Sequence, residues 1–148
     1  MPAFKFRLAT LQRLREALRD ERRAQLAEAY RADEILQEQI ARILDDLLEM
    51  KRRQTAQVGG VNVDPLLDAH RYEMVLRAQQ MQLEQQRLKL QIEIERRREA
   101  LIAADRDVKV LEKLKETQHA RFLEEEERRQ MKVLDEIAGR THQSQEVT

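Results

Sequence analysis

The residues that punctuate a polypeptide are scarce in this chain, and they sit close together. Of three glycines in 148 residues, Gly59 and Gly60 are adjacent and Gly139 lies near the C-terminus; of two prolines, Pro65 follows the glycine pair and Pro2 opens the chain. Such a chain has one place to reverse. Two glycines inside a helix cost about 2 kcal/mol relative to two alanines, so Gln57–Asp64 reads as a connection. Asp64 is suited to cap the next helix, and Pro65 suits its first position, where a missing N–H does no harm. Ala, Leu, Glu, Gln, Arg and Lys fill both flanks, the make-up of long helices. Three Phe, two Tyr and no Trp are too few for the aromatic centre of an ordinary α/β enzyme.

The expected fold is therefore all-α, a long antiparallel two-helix coiled-coil hairpin. Residues 1–148 form a single elongated helical hairpin, with helix one at about 6–56, a turn at 57–64, helix two at about 65–138 and a flexible tail at 139–148. Gly139 is the candidate residue just past the second helix. Leu36, Ile40, Ile43, Leu47 and Met50 step by four and three, as a heptad seam does. Upstream, Leu11, Leu14 and Leu18 reach Leu26 only with an extra residue near Arg22, which predicts a register drift there. In helix two Leu67, Met74, Met81 and Leu88 recur every seven, with Ala78 and Ile92 between them. Leu101, Ala104, Val108 and Leu111 make a later seam, and Leu123, Leu134 and Ile137 a sparse last one. Folding back at the glycines brings Leu14 near Val108 and leaves an overhang from about Thr117 to Ala138. The competing architecture is a continuous parallel dimer kinked at the glycines, in which the glycine pair has no purpose.

Several chemistries have no residues to carry them. Three glycines supply no phosphate-cradling loop. His70, His119 and His142 are far apart, and with no cysteine none has a partner at metal-ligand spacing. No catalytic residues, no metal and no cofactor are expected, and the chain is not expected to be an enzyme. His70 and Tyr72 are read as partly exposed packing residues. Charged residues make up 38% of the chain and balance to a net charge of zero, which argues against nucleic acid as a partner. Lys51-Arg52-Arg53 and Arg96-Arg97-Arg98 are interleaved with Glu49, Glu93, Glu95 and Glu99, so they read as solvated faces with ion pairs one turn apart. Glu124–Glu127 reads as a solubilising run or an acidic patch for a basic partner. No stretch approaches the length of a membrane span, and the absence of cysteine fits a reducing cytoplasm.

Phe4-Lys-Phe-Arg-Leu-Ala-Thr-Leu-Gln-Arg-Leu-Arg15 resembles the opening of the flagellar export protein FliJ family. Val108-Lys-Val-Leu-Glu-Lys-Leu-Lys-Glu116 and Glu126-Glu-Arg-Arg-Gln-Met-Lys-Val-Leu-Asp-Glu-Ile-Ala138 resemble that family's C-terminal half. The resemblance implies a cytoplasmic component of the bacterial flagellar type III export apparatus, peripheral at the cytoplasmic face of the inner membrane. It implies three partners: the flagellar export ATPase hexamer, the cytoplasmic domain of the export gate membrane protein, and export chaperones. Carried onto this sequence, ATPase-ring contact falls to Arg7, Arg13, Arg15, Arg19, Lys113 and Lys115. Leu8, Leu11, Leu14, Val108, Leu111 and Leu114 are expected to hold the helices together behind them. Export-gate contact falls to Gln39, Ile43, Asp46 and Met50 on one helix and to Val75, Gln79, Gln82 and Gln86 on the other. Some relatives have tyrosines at the places of Asp46 and Met50 and a phenylalanine at that of Val75. An injectisome-type secretion stalk and a homodimeric coiled-coil scaffold are the alternatives.

Overall fold

The computed structural model describes residues 2–56 and 63–146. It contains two α-helices, α1 over Ala9–Ala56 and α2 over Val63–Glu146, packed as an antiparallel hairpin. Residues 57–62, including the glycine pair expected to make the reversal, lie outside the described residues. The chain divides into two compact units: a terminal unit of residues 1–19 with 103–148, and a middle unit of residues 20–102.

In the middle unit, α1 and α2 meet along apolar positions that drive the packing. Leu26, Ala29 and Ile94 form a buried cluster, with Leu90 and Leu101 packed against it, and Ile43 and Leu76 are buried further along. Polar contacts fix the pairing. Arg87 Nε donates to Asp33 Oδ1 at 3.1 Å, and Arg97 Nη1 donates to the carbonyl oxygen of Gln25 at 2.6 Å. Arg98 Nη2 donates to the Tyr30 hydroxyl at 2.7 Å. In the terminal unit, Phe6, Ala104, Val108 and Leu111 are buried. There Arg15 pairs with Asp107 at 3.2 Å, next to the expected Leu14–Val108 level. Phe4, ahead of α1, sets its ring 5.0 Å from His119 and 5.6 Å from Phe122.

The heptad Leu36, Ile40, Ile43, Leu47 and Met50 is sheltered as expected, and so is Leu101, Ala104, Val108 and Leu111. Three other expectations need correction. First, α1 shows no drift near Arg22. Among its sheltered positions, Gln12, Arg15, Arg19, Arg22, Leu26, Ala29 and Asp33 run in unbroken steps of three and four, and Leu18, expected with Leu11 and Leu14, is half-buried beside Arg19. The seam is polar where Leu11 and Leu14 had been counted, and Leu14 is 64% exposed. Arg stems supply the packing while their charged heads reach partners or water.

Second, the stripe Leu67, Met74, Met81 and Leu88 does not face α1. All four are exposed, as are Ala78 and Ile92. The side of α2 against α1 carries Ala69, Glu73, Leu76, Gln80, Leu83, Arg87 and Leu90. One residue of offset turns a helix by about 100°, so Glu73, Gln80 and Arg87 replace Met74, Met81 and Leu88 in the seam.

Third, the helix bounds differ. α1 starts at Ala9 rather than about residue 6. α2 starts at Val63, which places Asp64 in the first turn instead of capping it. α2 also continues past Gly139 to Glu146, over most of the stretch expected as a tail. Among the described residues no glycine has positive φ, so Gly139 does not adopt the left-handed conformation that ends helices. Thr141 Oγ1 donates to the Ile137 carbonyl at 2.8 Å, and Ser144 Oγ to that of Thr141 at 2.9 Å. The overhang is shorter at its start than expected, because Phe4 covers α2 as far as Phe122; beyond Glu126 every described residue is exposed. Leu123, Leu134 and Ile137 therefore form no seam with α1.

Candidate functional site

In the middle unit the antiparallel register sets Gln39 and Ile43 of α1 beside Gln79, Gln82 and Gln86 of α2. Together with Arg42 and Leu83 they line one shallow groove of ≈ 420 Å³. Its floor is apolar: Ile43 is buried and Leu83 half-buried, because both are seam residues. Its rim is built of carboxamides, each of which can donate and accept. Arg42 adds one cation. An apolar floor with an amide rim binds a protein surface through shape and hydrogen bonds, with little dependence on net charge.

The other three residues assigned to the same contact stand outside the groove. Asp46 and Val75 are exposed one heptad along from Gln39 and Gln82, which puts them on the same face of their helices. Met50 is half-buried and lines a different groove of ≈ 340 Å³ with Leu44, Leu47, Leu48, Glu73 and Arg77. Arg42 and Leu83 were not singled out from sequence. Their signal was position alone, Arg42 adjoining Ile43 and Leu83 adjoining Gln82.

In the terminal unit the six basic residues divide into two kinds. Arg7, Arg13, Lys113 and Lys115 are exposed. Arg15 and Arg19 are half-buried; Arg15 is engaged by Asp107 at 3.2 Å, and Arg19 has an interaction partner of its own. Four cations thus face solvent and two are tied into the packing. Leu8 is half-buried and Val108 and Leu111 buried behind them, whereas Leu11 and Leu114 are both 37% exposed.

The basic triplets separate in a similar way. Arg53 pairs with Glu49 at 2.9 Å and Arg96 with Glu93 at 3.4 Å, both on the solvated surface. Arg97 and Arg98 make the expected pairs one turn apart, with Glu93 at 3.1 Å and Glu95 at 3.3 Å, but also cross to α1, which corrects the reading of that triplet as wholly solvated. The hydrogen bond to Tyr30, followed by Glu95, raises the Arg98 pKa above its ordinary value, so the guanidinium holds its charge throughout. His70 and Tyr72, expected to be partly packed, are exposed.

Among the described residues no group of three His, Cys, Asp or Glu side chains is placed to hold a metal ion. No helix of the described residues is long and apolar enough to cross a membrane. The groove of the middle unit presents an apolar floor and amides, and the terminal unit presents four exposed cations. The family model described as flagellar FliJ protein matches residues 4–146. No curated protein and no solved structure matches the chain.

Proposed function

The chain belongs to the flagellar FliJ protein family, and on that premise we propose that it is the non-enzymatic stalk of the bacterial flagellar type III protein export apparatus. The terminal unit enters the ring of the hexameric export ATPase, and the middle unit offers its amide-rimmed groove to the cytoplasmic domain of the export gate. Export chaperones are the third class of partner, and the protein works at the cytoplasmic face of the inner membrane. The observation that carries this reading is the family match, which runs through both units.

The physical mechanism needs no chemistry from the stalk. A ligand that binds an assembled ring better than separate subunits stabilises the ring by RT ln(1 + [L]/Kd). A single asymmetric helix pair also cannot treat six identical subunits alike, so it biases which catalytic interface is competent. Arg7, Arg13, Lys113 and Lys115 supply long-range attraction to an acidic ring lining. Arg15, through Asp107, holds the helix pair that presents them, and Arg19 lies half-buried one turn along. At the gate, Gln39, Gln79, Gln82 and Gln86 exchange water for partner hydrogen bonds around Ile43, with Asp46, Met50 and Val75 extending the contact.

The test is a titration of the purified chain into its cognate ATPase, read as ATP turnover. Turnover should rise severalfold and saturate at far fewer than one chain per ATPase subunit. Flat turnover across the titration would overturn the stalk reading.

A further inference from the structure

Leu67, Met74, Met81 and Leu88 recur every seven residues on the side of α2 turned away from α1 and are 48% to 63% exposed. Ala78 and Ile92 lie between them, also exposed. With Arg71 and Gln85 the spacing from Leu67 to Ile92 alternates four and three without a break. This is a second heptad seam, opposite the first, on one helix of the middle unit. A solvated helix face has no use for such spacing, whereas a coiled-coil partner requires it.

The geometry points to a second copy of this chain as the occupant, docked antiparallel about a two-fold axis through its own Leu67–Ile92 stripe. Charge complementarity selects it. In the antiparallel register that sets Ala78 against Met81, the same two-fold operation sets Met74 against Gln85, Arg71 against Leu88 and Leu67 against Ile92. Arg71 meets that layer with its aliphatic stem and carries its head outward. The flanking positions that face one another are then Asp68 with Lys89 and Arg77 with Glu84, each pair made twice by symmetry. The remaining flanking pairs within the stripe, His70 with Gln91 and Val75 with Gln82, bring no like charges together.

No other register does this. Sliding the copies one heptad either way sets Glu84 against Glu84 or Arg77 against Arg77. A parallel pair sets Arg71 against Arg71 within the seam. In the single chain Arg77 pairs with Glu73 at 2.9 Å and Glu84 accepts from Gln80 at 3.2 Å. Both are exposed contacts one turn apart, which exchange for intermolecular ones at little cost. The pairing uses no residue of the terminal unit, so it does not bear on ring entry, but its flanking Val75 and Gln82 also belong to the proposed gate contact, and the two partners compete for that edge of α2.

Sedimentation equilibrium of the full chain from about 1 µM to 1 mM, the range of weak to moderate self-association, tests it. The mass should rise from monomer to dimer with concentration. Met81→Glu should raise the dimer Kd at least tenfold while leaving helicity unchanged, since Met81 is 63% exposed. Asp68→Lys and Lys89→Asp should each weaken the dimer severalfold, and the two together should restore it to within about twofold. A chain that stays monomeric throughout would overturn the proposal, as would a dimer indifferent to Met81→Glu. Failure of the double exchange to restore the dimer would overturn the register. Binding of another protein's helix to this stripe, with no self-association, would assign the seam to a different occupant.

Discussion

Val108 is 1% exposed in the terminal unit, whereas Leu14, expected to be its neighbour, is 64% exposed. What each contributes follows from orientation rather than from side-chain size. Val108→Ala removes two buried carbons and leaves a void between the helices, for a loss of about 1–3 kcal/mol. Leu14→Ala removes a larger side chain mostly from water and should change stability by less than about 0.5 kcal/mol. Denaturant melts of the two variants measure both, and equal losses would contradict the placement. The same contrast separates Arg13 from Arg15. Arg13 is exposed, so Arg13→Glu should weaken ATPase activation and leave the melting temperature alone. Arg15→Glu sets a carboxylate against Asp107, whose partner it was. The pair is half-exposed, so the stability loss is about 0.5–1 kcal/mol, and activation falls with it. ATPase turnover and thermal melts on both variants distinguish a contact residue from one that positions the helix.

At the scale of the helix, Gly139 is the sharpest case. Two conformations make opposite predictions for it. A glycine ending a helix in the left-handed region resists substitution, because a Cβ is strained there. Here φ is not positive and a Cβ at Gly139 would meet nothing within 4 Å. Gly139→Ala should therefore increase the helicity of the last turns of α2, with a local gain of about 0.8–1 kcal/mol. Circular dichroism, with amide exchange over residues 138–146, reads the change, and a loss of helicity would restore Gly139 as a helix end. The seam was legible where apolar residues alone occupied it, as at Leu36–Met50 and Leu101–Leu111. It was misread where long polar side chains filled it. Glu73, Gln80 and Arg87 cover the seam with methylenes, while Met74, Met81 and Leu88 advertise a stripe one residue round the helix. Apolar periodicity alone could not choose between the two. The gate-contact residues came from the family resemblance and not from the helices; that five of them line one groove follows from the pairing register, in which the level of Leu14 and Val108 is also that of Ile43 and Gln79. That register equally implied Arg15 opposite Asp107, an ion pair visible only once both helices are considered together.

For the molecule as a whole, the decisive property is that α1 and α2 of one chain supply both halves of each unit's core. In the middle unit Leu26 and Ala29 meet Ile94 of the same polypeptide; in the terminal unit Arg15 meets Asp107. An intramolecular core melts at a temperature independent of concentration. A core assembled from two chains gains about 1.4 kcal/mol for each tenfold rise in concentration, by mass action. At roughly 2–4 °C per kcal/mol for a chain of this size, that is about 3–6 °C per decade. The outward stripe of α2 complicates the measurement, because self-pairing through Met81 also stabilises the folded chain as concentration rises. Met81→Glu removes that contribution without touching the inner seam. In this variant the melting midpoint should stay constant within about 1 °C across a hundredfold range of concentration, against the 6–12 °C that a two-chain core would give over the same range. The wild-type chain should drift upward over the same range, and the difference between the two slopes measures the outer seam alone. A midpoint that climbs equally in both would place the inner seam between chains, and neither the hairpin nor a stalk made of one polypeptide could survive that result.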